Sequence, residues 1–358
     1  MARVVGMGAL RSTLPKNFTD LLDAGDDAAV LAVFETCQVD ARGGYGKSTA
    51  LGYPTCPEVV ARWLVDHGAD VESTDTYGVS PLQAHAKAWN GRPGMLLDLG
   101  ADIEAVNRDG ETALHAAASS HRARNVRVLV DRGADVAAVN RRGLTPAALA
   151  LATCENATIA ETAEILEVLV GGGAVLSDEL RTDAARIGAQ FEFHRQNFNP
   201  DMLPATDAAL QKIYALLGAA PVEARQTHDG SSTIAVSSST WQEQHRELWN
   251  LLVPSQGAAA TVQGEVIRIT GRISDEIERN GGVNWDRDFQ RMAEALLDHF
   301  ARASALGAQD LATTKAEVKR LRGRKRFDVD HAALAEFAVR WVGLNPDPIP
   351  LGAPAYRR

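Results

Sequence analysis

The chain has 358 residues, room for two compact domains, and its 45% hydrophobic content without long polar tracts argues against general disorder. No apolar run approaches the roughly 18 residues that cross a membrane, and the start, with Arg3 but no apolar core of about 7–15 residues, does not read as a secretion signal. A net charge of −9 disfavours non-specific nucleic-acid binding by the whole chain, and three widely spaced cysteines (Cys37, Cys56, Cys154) suit thiols in a reducing cytoplasm better than disulfides or a metal knot.

In chain order, Phe18 to Leu22 and Ala28 to Glu35 predict a short helix pair. The string Gly-Ala-Asp-(Val/Ile) then recurs at Gly68, Gly100 and Gly133, at spacings of 32 and 33 residues, and a second glycine follows ten residues after each, at Gly78, Gly110 and Gly143. A fixed period of this length predicts stacked supersecondary units, with an atypical unit at the end as a cap. Thr112 and Thr145 suit N-caps of short helices, and Pro81 and Pro146 suit a first helical turn, where a missing N–H costs nothing. Val126, Val128, Leu129 and Val130 give a second helix its apolar side, and Gly133 suits the left-handed residue that ends it. A degenerate earlier unit starts at Gly46, with a second helix near Glu58 to Asp66. A further unit closes at Gly173 after about seven inserted residues, placed near Thr153 to Thr158. Pro93 and Gly94 predict a shortened second helix in the unit from Gly78.

The segment Thr112-Ala113-Leu114-His115-Ala116-Ala117 closely resembles the ankyrin repeat, whose mark is Thr-Pro-Leu-His-x-Ala at this period, with diverged neighbours at Ser80-Pro81-Leu82-Gln83 and Thr145-Pro146-Ala147-Ala148. The resemblance covers residues of about 15–180. It implies that a protein partner is met by the turn tips and the exposed face of the first helices. On this sequence those are the tips Thr76-Tyr77, Arg108-Asp109 and Arg141-Arg142, the following positions Val79, Glu111 and Leu144, and the first-helix ends Lys87, Ser119-Ser120 and Ala152-Thr153. Tyr77 and Trp89 would supply aromatic anchors within a mixed-charge rim. Asn107 and Asn140 stand where the family braces its turns, and His115 is the family's structural histidine, tying its turn to the neighbouring loop.

Beyond the repeats, Ala184 to Arg195 predicts one more helix, and Thr206 is expected to cap another whose face is Leu210, Ile213, Tyr214 and Leu217. Gln226 to Thr240, rich in Ser, Thr and Gly, reads as an exposed linker or an ordered loop. Thr240-Trp241-Gln242-Glu243 fits a capping box opening a helix with the stripe Trp241, His245, Leu248 and Leu252. Val262, Val266, Ile269, Ile273 and Ile277 match Trp285, Phe289, Met292, Leu296 and Phe300 across Gly281-Gly282, which predicts an antiparallel helical hairpin. Asp330 is expected to cap a last helix carrying Leu334, Phe337 and Trp341, ending before Pro346. The fold class is all-α: an ankyrin-repeat solenoid over 1–196, a linker with one helix over 197–240, a helical bundle-like domain over 241–345 and a Pro-rich tail over 346–358.

Three other constellations carry chemistry in principle. Ala41 to Ser48 resembles a phosphate-binding P-loop, but the residues before it read as helical and Gly46 falls on the repeat's own glycine, so a turn between units is the better reading. His245, Glu247, Glu265, Asp275, Glu276, Asp286, Asp288 and His299 form an acidic and histidine-bearing cluster, yet the Glu-x-x-His pair of helical metal sites is missing. Asn284 is expected to cap the second hairpin helix, with Asp286 and Asp288 serving its dipole. Lys315, Lys319, Arg320, Arg322, Arg324, Lys325 and Arg326 make a basic run without interleaved aromatics, read as a solvated helix end rather than a nucleic-acid site. The function that follows is a cytoplasmic adaptor without cofactor, metal or membrane partner, binding protein through its repeats and a second partner or copy through its helical domain. The alternative is a two-part effector in which the helical domain is a metal- or acid/base-dependent enzyme or toxin targeted by the repeats. The Ala-, Arg- and Gly-rich composition hints at a bacterial source.

Overall fold

The computed structural model describes residues 9–321 and 328–357, of which helix is the dominant element at 55% of the chain. Two compact units divide it: Met1–Gln190 with Pro200–Val222, and Phe191–Asn199 with Glu223–Arg358.

The first unit opens with strand β1 (Arg11–Thr13), the predicted helix pair α1 (Phe18–Asp23) and α2 (Asp27–Val33), and strand β2 (Cys37–Gly43). β2 pairs parallel with β1 and antiparallel with the two-residue strand β3 (Ser48–Thr49). This corrects the expectation of helix before the glycine-rich segment. Cys37 to Arg42 alternates apolar and polar residues, the period of a strand, and Cys37 and Ala41 are fully buried on its inner side. The apparent P-loop is therefore a hairpin turn followed by a strand and not by a helix, so no helix N-terminus faces it. A single 3-10 turn at Ala50–Gly52 precedes α3 (Glu58–Asp66).

Helix pairs follow at the expected period: α4 (Pro81–Lys87) with α5 (Pro93–Asp98), α6 (Ala113–Ser119) with α7 (Ala123–Asp131), and α8 (Pro146–Ala152) with α9 (Ile159–Gly171). Ser80, Thr112 and Thr145 cap the first helices by accepting the N–H three residues on, and Pro81 and Pro146 occupy the first turn. α5 has six residues against nine in α7, as Pro93 predicts. The inserted residues are divided between a 3-10 turn at Asn156–Thr158 and a longer α9 of 13 residues.

The Gly-Ala-Asp string has a physical reason at each position. Gly133 takes φ +89° after α7 and sends its N–H to Val130, while the Ala134 N–H returns to Leu129, closing the helix with a paired reverse turn. A Cβ at Gly133 would meet nothing, so the backbone conformation is what selects glycine there. Asp70, Asp102 and Asp135 each accept, through Oδ1, the N–H two residues on. Their own N–H groups go to the carboxylates of Asp40, Glu72 and Glu104 on the preceding unit. The motif is a ladder joining neighbours.

α10 (Asp178–His194) and α11 (Leu203–Leu217) follow. α11 packs on α9 in the first unit through buried Leu210, Ile213, Tyr214 and Leu217, so a helix expected within the linker extends the stack. Thr206 does not cap it. It lies inside the first turns and donates to the Met202 carbonyl, because the helix starts three residues earlier, at Leu203-Pro204.

The second unit comprises α12 (Trp241–Leu252), α13 (Val262–Glu278), α14 (Arg287–Phe300), α15 (Ala308–Leu321) and α16 (His331–Leu344). α13 is central and packs on α12, α14 and α16, with Val262, Val266, Ile269 and Ile273 wholly buried. Each such aliphatic side chain contributes roughly 1.5–3 kcal/mol on burial. The Ser-rich stretch belongs to this unit as an ordered segment. Glu247 accepts from the N–H and hydroxyl groups of both Ser237 and Ser238, and Ile234 is buried, its N–H donating to Pro346. The Pro-rich tail is likewise integrated: Leu351 donates to Ala260, Val262 donates to Ile349, and the Tyr356 hydroxyl donates to Glu265.

Candidate functional site

The repeats present a row of turns, each wound on an acceptor side chain. Asn107 Oδ1 takes the N–H groups of Asp109 and Glu111 at 2.9 and 3.0 Å, and Asn140 Oδ1 takes those of Arg142 and Leu144 at 2.9 and 3.0 Å. Asp75, a third bracing residue that sequence reasoning did not name, does the same for Tyr77 and Val79. The turns are also tied to one another: Thr76 N–H donates to Gly46 and Arg141 N–H to Asp109. Gly110, at φ +75°, makes that last approach possible, since a Cβ there would sit 3.1 Å from the Arg141 nitrogen.

His115 holds the next layer. Its Nδ1 accepts from the Thr112 N–H and its Nε2–H donates to the Leu144 carbonyl, an arrangement only a neutral ring can make. Burial pushes its pKa down accordingly. Gln83 plays the same part in the preceding unit, accepting from Ser80 N–H and donating to the Glu111 carbonyl. His85 is buried elsewhere, between the carbonyls of Leu51 and Tyr53 and the Arg92 N–H, and burial lowers it to about 4.

On this braced frame Thr76, Tyr77, Arg108, Asp109, Arg141, Arg142, Lys87 and Trp89 are exposed. Trp89 shows 80% of its surface and carries the Arg122 guanidinium over its ring. Val79, Leu144, Ser119 and Ser120 are half-buried. Ser119 is turned back on the Ala116 carbonyl, and Glu111 receives the side-chain amides of Asn107 and Asn140, so these two serve the turns themselves. Tyr45, absent from the sequence-derived set, is 93% exposed and stacks on Tyr77 with ring centroids 6.3 Å apart. The signal was present: Tyr45 and Tyr77 are 32 residues apart, one repeat period.

The acidic cluster of the second unit disperses. Glu276 is buried and accepts from Asn280 Nδ2 and from the Asn284 N–H and Nδ2, bracing the Gly281-Gly282 turn. Asp286, not Asn284, caps α14, because Asn284 is engaged by Glu276. Asp275 pairs with Arg279, and Asp288 with Arg291. Among the described residues no group of three His, Cys, Asp or Glu is placed to hold a metal. Of the basic run, Lys315, Lys319 and Arg320 lie on α15, with Arg320 paired to Glu317; Arg322, Arg324, Lys325 and Arg326 lie outside the described residues.

Residues 96–150, which run from α5 to α8 and include two of the three tips, match the family model for ankyrin repeats (many copies). Over this stretch the chain is similar to ankyrin repeats, a class associated with protein–protein interaction. No curated protein matches the chain. No helix among the described residues is long and apolar enough to cross a membrane.

Proposed function

We propose that the chain is an adaptor that binds a protein partner through the turn tips and first-helix ends of its ankyrin repeats. The observation that carries this reading is the exposed Tyr45–Tyr77 stack beside the charged tips, held on turns whose backbone groups are already paired. Exposed aromatic rings on a rigid frame are expensive to leave in water and lose little conformational entropy on binding. Arg108, Asp109, Arg141 and Arg142 form the polar rim, and Trp89 is a second aromatic anchor. We place this work in the cytoplasm, a reading supported by three buried free thiols, Cys37, Cys56 and Cys154.

Affinity capture with the full chain, wild type against Tyr77→Ala/Arg108→Ala/Arg141→Ala, tests it. The wild type is expected to retain a partner that the triple variant releases, with both proteins melting at the same temperature. Equal retention by both contradicts the assignment of this face.

A further inference from the structure

The residue ahead of each repeat glycine falls at one fixed place in four successive turns: Tyr45, Tyr77, Asp109 and Arg142, at spacings of 32, 32 and 33 residues. Contacts between the turns join them into one ridge. The Tyr45 and Tyr77 rings stack at 6.3 Å and 27°. A Cβ on Gly78 would stand 2.9 Å from Arg108 Cγ, so the Arg108 stem lies across the turn that carries Tyr77. A Cβ on Gly110 would stand 3.2 Å from Arg141 Cγ, which brings the next stem over the Asp109 turn in the same way. The ridge changes chemistry along its length, from two rings at one end to guanidinium groups at the other.

What this ridge can offer a ligand is side chains, because its backbone donors are already paired. The N–H groups of Thr76, Tyr77, Asp109, Arg141 and Arg142 all donate within or between the turns. Asp75 and Glu111 are half-buried and give their carboxylates to the same bracing. Facing outward are Arg108, Arg141 and Arg142 against the single carboxylate of Asp109. All three arginines are exposed, and among the described residues none has an ion-pair or hydrogen-bond partner for its guanidinium. The whole chain carries −9, so this cationic excess is local. A guanidinium fork pairs best with a planar two-oxygen anion, and an exposed ring with another ring. A nucleic-acid strand would lay a negative charge about every 3.4 Å along the ridge, against Asp109 as well as the arginines. A peptide can hold its carboxylates apart and spare that position.

On the reading that this ridge is the partner-binding face, we propose that what it binds is an acidic peptide segment of the partner carrying an aromatic residue. The aromatic ring lies against the Tyr45–Tyr77 stack. Carboxylates take the guanidinium groups of Arg108, Arg141 and Arg142, with no acid opposite Asp109.

Selection of a random-peptide display library on the full chain tests this, the enriched peptides then being labelled and titrated by fluorescence anisotropy. They are expected to be net acidic, to carry an aromatic residue, and to bind less tightly as salt rises. Tyr77→Ala and, separately, Arg141→Ala/Arg142→Ala should each weaken them about tenfold, at exposed positions that leave the melting temperature unchanged. Arg141→Glu/Arg142→Glu should turn the selection toward basic peptides. Neutral or basic peptides that are nonetheless lost in Tyr77→Ala/Arg108→Ala/Arg141→Ala overturn the proposal and leave the face standing. Peptides held equally by that triple variant contradict the face itself, and the proposal with it. Acidic peptides indifferent to Tyr77→Ala overturn the ring contact. No enrichment at all, or tighter binding of oligothymidylate than of any acidic peptide, overturns the whole proposal.

Discussion

The two units close their polar contacts over very different distances in sequence. In the repeat unit the partner is close to one period away: Asp102 N–H finds Glu72, 30 residues back, and His115 finds the Leu144 carbonyl 29 residues on. In the helical unit the closures are long. Gln263 donates to Asn345 and Asp347, 82 and 84 residues away, and Tyr356 reaches Glu265 across 91. A stack of nearest-neighbour contacts distributes its stability and tolerates a short helix or an insertion, as at Pro93 and Asn156. A bundle closed by its own tail concentrates stability in a few residues, and Glu265 is the chief of them.

The sharpest way to break this contrast is Glu265→Ala. Removing it leaves the buried Arg268 charge unpaired along with the Tyr356 hydroxyl and the Ala259 N–H, and should cost the second unit about 3–5 kcal/mol in urea unfolding. Wild-type stability in that variant would show that the clasp is not where the unit is held. His85→Ala is the matching test in the repeats. It strips partners from two carbonyls and the Arg92 N–H, with an expected loss of about 3 kcal/mol by the same measurement.

Acid should weaken both units together. Burial holds His85 and His245 at about 4 in the folded chain, whereas the unfolded chain takes up the same protons near 6.5. Stability is therefore undiminished above pH 7, falls as pH drops from about 6.5 to 4, and loses about 3 kcal/mol per ring by pH 4. His245→Gln should remove that ring's share of the second unit's slope, leaving the share of His299, whose pKa burial also lowers, and a slope unchanged in the variant would assign it elsewhere. The smallest effect belongs to the ladder: Asp102→Ala removes one exposed turn bond and should cost about 1 kcal/mol, with a thermal shift of a few degrees.

Much of the repeat unit could be read from sequence because its rules are local. Gly133 at φ +89°, the Thr112 and Thr145 caps and the shortened α5 all follow from residues within a few positions of one another. What escaped were choices settled by neighbours in space. Thr206 is a plausible cap, but α11 begins ahead of it at Leu203. Asn284 resembles an N-cap until Glu276 claims it, leaving Asp286 to accept the first N–H groups of α14. Tyr45 was hidden inside an apparent phosphate loop, although it repeats Tyr77 one period earlier. The Pro-rich tail carried no periodic pattern to mark its docking on Ala260 and Val262.

Site-specific photo-crosslinking tests the central claim most directly. A photoreactive phenylalanine analogue is placed at Tyr77, at Arg141 and, as a control, at Val59 on α3, an exposed position off the turn row. The account predicts the same discrete protein adduct from Tyr77 and Arg141 and none from Val59. An adduct arising from Val59 alone, or equally from all three positions, would contradict it.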